Sequence, residues 1–219
     1  MLDEIRTTRA IRRFTDEPVT DDELWQILDA AQHGPSGGNI QPWQFLVLTE
    51  ADAKAPVASV YLRAYDRYEA TLLASLPPFR SEADEASFLR SVRASRHLAE
   101  HLHEAPAIVC VLVPAGLDLT LQDDEGPLDI GHPCASIYPA VQNLLLAARA
   151  LGIGGTLTTV ARILPDDFRA AAGVPDRYEL AALVPLGRPK GEFTEPKRRP
   201  VEGVTHWNQW GNRQTRGQG

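Results

Sequence analysis

Leu24, Ile27, Leu28 and Ala31 recur at i, i+3, i+4 and i+7, the stripe of a helix that buries one face. Ahead of them Thr20-Asp21-Asp22-Glu23 has the form of a capping box, with Thr20 as N-cap and Glu23 at the third helical position, and Gly34-Pro35 ends the helix. The pattern then changes period. Residues 43–49 (WQFLVLT) are aromatic and branched and predict a strand. Residues 52–73 and 84–104 predict helices, with a break at Leu76-Pro77-Pro78. Residues 107–113 are an unbroken apolar run with β-branched members, which predicts a strand covered on both faces. Residues 133–151 predict a long apolar helix ending at Gly152, followed by a glycine-rich turn, Gly154-Gly155-Thr156-Leu157-Thr158-Thr159, that runs into a short strand. Residues 165–172 predict a short helix and 178–186 a further strand. Helices mixed with about four strands and no internal repeat predict an α+β fold, a central sheet covered by helices.

The domain division expected is a single domain over residues 1–190 and an arm over 191–219. That arm is polar, with few periodic apolar positions, and it is expected to wrap a neighbour.

Hydrophobic residues make up 43% of the chain and charged residues 23%, which excludes a disordered chain. The net charge of −7 argues against a sequence-independent nucleic-acid binder, which needs a basic face for the phosphate backbone. The seven apolar residues from 107 to 113 are far short of the roughly 20 that span a bilayer. The N-terminus lacks a basic region followed by an apolar one, so a signal peptide is not expected. Cys110 and Cys134 form neither a CxxC pair nor a zinc spacing. The expectation is a reduced cytoplasmic protein that engages neither membrane nor nucleic acid.

Where the positive charge sits changes the picture. Residues 6–13 (RTTRAIRR) hold four arginines and no acid, and residues 188–199 (RPKGEFTEPKRR) hold five cations against two acids. Guanidinium forks grip phosphate oxygens through short, charge-assisted hydrogen bonds. Arg9 and Arg12, three apart, would project the same way from a helical turn or tight bend. Two readings stand: a specific anion site, or solvated cations near a helix end. The segment Pro35-Ser36-Gly37-Gly38-Asn39-Ile40-Gln41-Pro42-Trp43 combines glycines, which permit close backbone approach, with the donors and acceptors of Ser36, Asn39 and Gln41. It either binds a flat polar ligand or makes an irregular turn.

Several chemistries lack their motif. Gly152, Gly154 and Gly155 do not complete G-x-G-x-x-G because Leu157 stands at the last position, and there is no Walker A, G-x-S-x-G or HExxH sequence. His97 and His101 have i, i+4 spacing, but RHLAEHLHE supplies neither a third metal ligand nor a general base; a surface or dimer-face role is expected and no metal site. Cys110, inside an apolar strand, is expected in the core. Cys134 opens a predicted helix, where a thiolate is favoured, but no catalytic part is assigned to it.

Taken in order, TTRAIRRF, PSGGNIQPW, LGIGGTLTT and PKRRPVEGV resemble the FMN-dependent nitroreductases over nearly the whole chain. RHLAEHLHEAP and the closing VTHWNQW are similar to NAD(P)H nitroreductases of actinobacteria. The resemblance implies a nitroreductase-like mixed or antiparallel sheet covered by helices, in an intertwined homodimer with FMN at each interface site. It implies that Arg9, Ala10 and Arg12 lie at the flavin phosphate and ribityl chain, joined by Lys197 and Arg199 of the arm. Pro35, Ser36, Gly37, Asn39 and Gln41 match a loop donated by the partner subunit. Leu157, Thr158 and Thr159 match the backbone under the flavin ring. The family often has Ser at Ala10 and a basic residue at Thr8, so Arg13 or Arg6 would have to compensate. The acid that some members place at the flavin edge is replaced by Thr159. The implied activity is that of an oxidoreductase, in which hydride from NADH or NADPH passes through flavin N5 to a nitroaromatic, quinone or similar small acceptor. No protein side chain acts as nucleophile, and the helices between 52 and 104 cover the acceptor. The alternatives are a flavin-binding storage module without turnover and a specialised flavin enzyme on the same fold, such as a dehalogenase, a flavin-fragmenting enzyme or a ring dehydrogenase.

Overall fold

Strand β2 (Ala107–Pro114, AIVCVLVP) is apolar at every position because helices cover both faces of the sheet it centres. The computed structural model describes residues 2–117, 120–128, 132–215 and 217 of the 219-residue chain. Alternate residues of β2 enter different cores. Val109, Val111 and Val113 pack with Ile27 and Ala31 of α2 (Asp21–Gln32) and with Val141 and Leu144 of α5 (Ile137–Ala150). Ile108, Cys110 and Leu112 pack with Val57 and Tyr61 of α3 (Ala51–Ala74), Leu98 of α4 (Glu82–His101) and Phe168 of α6 (Pro165–Ala172). Side chains alternate at period two, so each core receives half of the same run.

The sheet has the order β1-β2-β6-β5, with β1 at Gln44–Leu48, β5 at Gly154–Gly155 and β6 at Tyr178–Gly187, and its paired strands are antiparallel. A register shift in β6 opposite Val111/Leu112 skips Ala181, which therefore shares a core with Ala182 instead of alternating with it. Beyond β5 a single parallel bridge, Ala10 with Gly155, brings the N-terminal segment alongside the sheet edge. The fold is thus the expected α+β arrangement, antiparallel with a parallel contact at its margin.

The capping box at α2 is complete: Thr20 Oγ1 accepts from Glu23 N at 3.3 Å and Glu23 Oε2 accepts from Thr20 N at 3.0 Å. Gly34 does more than end that helix. A Cβ there would lie 2.6 Å from the Ala140 Cα, so the crossing of α2 over α5 needs glycine.

Three expectations change. The helix expected over 133–151 starts at Ile137, and Pro133–Ala135 is a separate 3-10 turn. The strand expected after the glycine-rich turn is limited to Gly154–Gly155; Thr158 makes one further bridge to Leu183, and Val160–Ile163 turns as 3-10 helix. A short N-terminal helix α1 (Leu2–Thr7) and a hairpin of β3 (Leu121–Asp123) and β4 (Gly126–Leu128) add to the predicted elements. Among the described residues, no helix is long and apolar enough to cross a membrane.

The described residues after β6 are mostly exposed and turn as a 3-10 helix at Val201–Val204. Val201, Val204, Trp207 and Trp210 are all exposed, and Trp210 stacks on His206, ring centres 4.0 Å apart.

Candidate functional site

The segment between α1 and α2 is held as an extended strip, not as a helical turn. Ile11 N donates to Gly155 O at 2.9 Å, Thr15 N to Arg188 O at 2.8 Å, and Lys190 N to Arg13 O at 3.0 Å. Gly154 permits this, since a Cβ there would lie 2.9 Å from the Ile11 side chain. The helical spacing expected to align Arg9 and Arg12 is therefore not what aligns them. Both nevertheless line one cleft of about 480 Å3, because the strip runs along its floor.

The cleft gathers charge of one sign. Arg9, Arg12 and Arg13 come from the strip, Arg90 from α4, and Lys190 from the chain just after β6; Glu192 is the one carboxylate among the lining residues. None of these five cations belongs to an ion pair recorded among the described residues. Arg9 Nη1 donates to Thr194 Oγ1 at 2.6 Å, which ties the start of the arm to the cleft.

Arg12 is half-buried, and that burial pushes its guanidinium below the ordinary arginine value; Tyr61 and Tyr65 work in the opposite direction, and the like charge of Arg9 adds to the lowering. A half-buried cation without a carboxylate partner is costly unless an anion arrives. Beside it Tyr61 is buried, which raises its phenol above the usual value, and its hydroxyl lies 3.1 Å from Thr158 Oγ1. Thr158 is fixed in turn by two backbone hydrogen bonds with Leu183, of 2.9 and 2.8 Å.

The roof of this region is clasped. Arg96 of α4 pairs with Glu69 and with Asp66, the latter at 2.6 Å, and its guanidinium sits 4.8 Å from the centre of the Tyr65 ring. Tyr65 donates to Val92 O at 3.2 Å, and burial pushes its phenol up to about 12.

The loop at 35–41 lies elsewhere, against the start of α5, where Gly37 N donates to Ser136 Oγ at 3.1 Å. Its amide side chains satisfy one another: Gln41 Nε2 donates to Asn39 Oδ1 at 3.1 Å, Gln32 Nε2 to Gln41 Oε1 at 2.8 Å, and Trp43 Nε1 to Gln32 Oε1 at 2.7 Å. Asn39 and Gln41 take φ values of 55° and 45°, a left-handed conformation that is costly for glutamine and clusters at functional sites.

Of the residues singled out from the sequence, Arg9, Ala10 and Arg12 line the cleft; Pro35, Ser36, Gly37, Asn39, Gln41, Leu157, Thr158, Thr159, Lys197 and Arg199 are not part of its lining within one chain. Thr158 is hydrogen-bonded to Tyr61, while Lys197 and Arg199 are exposed on the arm. Arg13, weighed in the sequence only as a substitute donor, is a lining residue, whereas Thr8 and Arg6 are not. Arg90 and Lys190 were not singled out. Arg90 looks in sequence like any charged position on a solvated helix, and Lys190 is only one member of a basic run.

Among the described residues, no group of three or more His, Cys, Asp or Glu side chains could hold a metal ion. His97 and His101 meet edge to face, ring centres 4.2 Å apart. Cys110 is buried in the sheet, which pushes its thiol up to about 12, a core position as expected.

Comparison with known proteins adds an independent finding. The profile of the Nitroreductase family matches residues 5–188. The chain is 28% identical over 203 residues to an NADH dehydrogenase of Thermus thermophilus, covering 91% of each. Its fold is similar to that of iodotyrosine deiodinase crystallised with FMN and 3-iodo-L-tyrosine (TM-score 0.72, 22% identity, 95% of this chain and 99% of that one). It is also similar to that of an FMN-dependent nitroreductase from Mycobacterium smegmatis in complex with NADPH (TM-score 0.67, 18% identity, 95% and 97% covered).

Proposed function

The chain belongs to the Nitroreductase family, and from that premise we propose that it is an FMN-dependent oxidoreductase that takes reducing equivalents from NADH or NADPH and passes them to a small acceptor such as a nitroaromatic or a quinone. The observation that supports this most is the cleft itself, where five cations face one carboxylate and the half-buried Arg12 is in no ion pair among the described residues. Such a donor set suits a phosphate monoester, which carries about −1.5 to −2 charge at neutral pH and offers three acceptor oxygens. Its volume falls within the roughly 300–1,000 Å3 of small-molecule sites.

FMN, when bound, supplies the hydride chemistry; the protein supplies binding, orientation and electrostatics. In this reading Arg9 and Arg12 neutralise the phosphate. Arg9 also anchors the arm through Thr194, so that Lys197 and Arg199 are carried toward a flavin site. Ala10 contributes backbone only, and Arg13 takes the place of the donors that Ala10 and Thr8 lack. The Leu157-Thr158-Thr159 backbone underlies the ring, with Tyr61 holding Thr158 from the α3 side. The strained 35–41 loop, already satisfied internally, presents Pro35, Ser36, Gly37, Asn39 and Gln41 to the site of a second copy.

A homodimer is part of the proposal. Leu2, Ile5, Trp25, Val204 and Trp210 are large apolar side chains left exposed on one chain, and a second copy would cover those that lie at its interface. Residues 191–219 would then form the arm that crosses to the partner, with 1–190 as the single domain.

The test is flavin titration of protein stripped of bound cofactor, followed by NADH and NADPH oxidation with a nitroaromatic or quinone acceptor. Tight FMN binding with steady turnover is expected. Binding without turnover would instead make the protein a flavin store, and no FMN binding would end the proposal.

A further inference from the structure

We propose that Arg90, flanked by Ser87 and Ser91, forms a second oxyanion subsite in the cleft, which receives a phosphate or carboxylate group of the diffusible substrate and not the flavin phosphate. This rests on the flavin reading of the cleft above. Ser87, Arg90, Ser91 and Ala94 stand at i, i+3, i+4 and i+7 on α4, and all four line the cleft. Two turns of this helix are therefore turned to the cavity before the same stripe enters the core at Leu98, and their side chains there are small apart from the one guanidinium. Two hydroxyls beside a fork-shaped cation are the donor set of an oxyanion site, and Ala94 leaves room for what binds there.

The charge balance also calls for a second anion. Five cations against Glu192 leave a net +4 on the lining, and a phosphate monoester at about −2 offsets half of it. The donors separate by position. Arg9 and Arg12 sit on the strip beside β5, where Thr194 and the Tyr61–Thr158 contact lie. Arg90 comes from the opposite wall, on a helix that Arg96 clasps to α3 through Glu69 and Asp66. That clasp fixes the helix that carries Arg90, whose guanidinium is in no ion pair among the described residues. Oxyanions on either the nicotinamide donor or the acceptor match this chemistry, and paired ligands tell them apart.

The experiment uses the flavin-loaded protein and its R90A and R90K variants. Dissociation constants are measured for FMN, for NADP+ against NAD+, and for 4-nitrobenzoate against 4-nitrobenzamide, the last four by perturbation of the flavin spectrum. In R90A the FMN constant is expected to stay within twofold. The anion is on the acceptor if 4-nitrobenzoate alone weakens about tenfold. It is the 2′-phosphate of the donor if NADP+ alone weakens, and the donor's pyrophosphate if NADP+ and NAD+ weaken together; R90K should recover part of the loss. If neither acid nor dinucleotide weakens, the subsite does not exist. If FMN weakens tenfold while the other four hold, Arg90 grips the flavin phosphate and the proposal is overturned. Failure of the wild-type protein to take up FMN would instead sink the flavin reading itself, before any variant is compared.

Discussion

Replacing Arg12 by alanine separates binding from stability, because the two should move in opposite directions. Its guanidinium is half-buried and desolvated, lies near the like charge of Arg9, and has no carboxylate partner among the described residues. In the flavin-free protein it therefore contributes little, and its removal relieves a repulsion. With the phosphate present it makes a charge-assisted hydrogen bond, worth about 1.5–3 kcal/mol net. At about 1.4 kcal/mol per decade that is roughly a 10- to 150-fold rise in the FMN dissociation constant. Stripped R12A should melt at or slightly above the temperature of the stripped parent, while fluorescence titration shows the weakened affinity. R12K, which keeps the charge and loses the fork, should fall between. An FMN constant within twofold of the parent would refute the reasoning. So would a stripped variant that melts many degrees lower, since Arg12 would then act through the packing of its stem.

The pH dependence of stability has a defined sign at Glu23. The backbone hydrogen bond to Thr20 is the largest cause holding its carboxyl below the ordinary 4.5, with Arg188 assisting. Its contribution is thus complete above the unfolded value and is lost as pH falls through the lowered folded value, so the stability gap between parent and E23Q in urea unfolding should close on acidification; a gap that does not change between pH 7 and 3 would contradict this. Substituting Gly155 by alanine puts a Cβ 2.9 Å from Pro185 O and 2.8 Å from the end of Leu186, and the backbone oxygen cannot move aside. A loss of about 1–3 kcal/mol in unfolding free energy is expected, and an unchanged midpoint would show that the β5 edge is looser than described. Removing the Arg96 clasp by R96A should speed amide exchange across Glu82–His101 and leave β2 and β6 protected; equal protection in α4 would mean that Tyr65 and Leu98 hold it alone.

What could be read in advance followed the range of the forces involved. The capping box at Thr20 and Glu23 and the two-sided burial of residues 107–113 are local or composition-level signals, and both reappear as α2 and β2. The two-residue strand at Gly154–Gly155 gave too few positions for a period to be visible, and the hairpin at 121–128 is equally short. The split of 133–151 into a 3-10 turn and α5 left no apolar interruption for a pattern to register. Helix α1 has exposed Leu2 and Ile5, so no buried stripe marked it.

The amino-acid order alone determined the class of fold, the identity of the helix that starts at Asp21, the strands that must be covered twice, and the presence of an arginine-rich segment able to hold an anion. Those properties are set by hydrogen-bond capping, by side-chain periodicity and by charge, all of which act within a few residues. Only the tertiary structure decided that Arg9 and Arg12 reach one cleft from an extended strip, that the 35–41 loop faces away from that cleft, and that the polar stripe of α4 closes over it with Arg90. A polar helix face looks the same in sequence whether it meets water or a binding site; the packing of distant elements is what distinguishes the two.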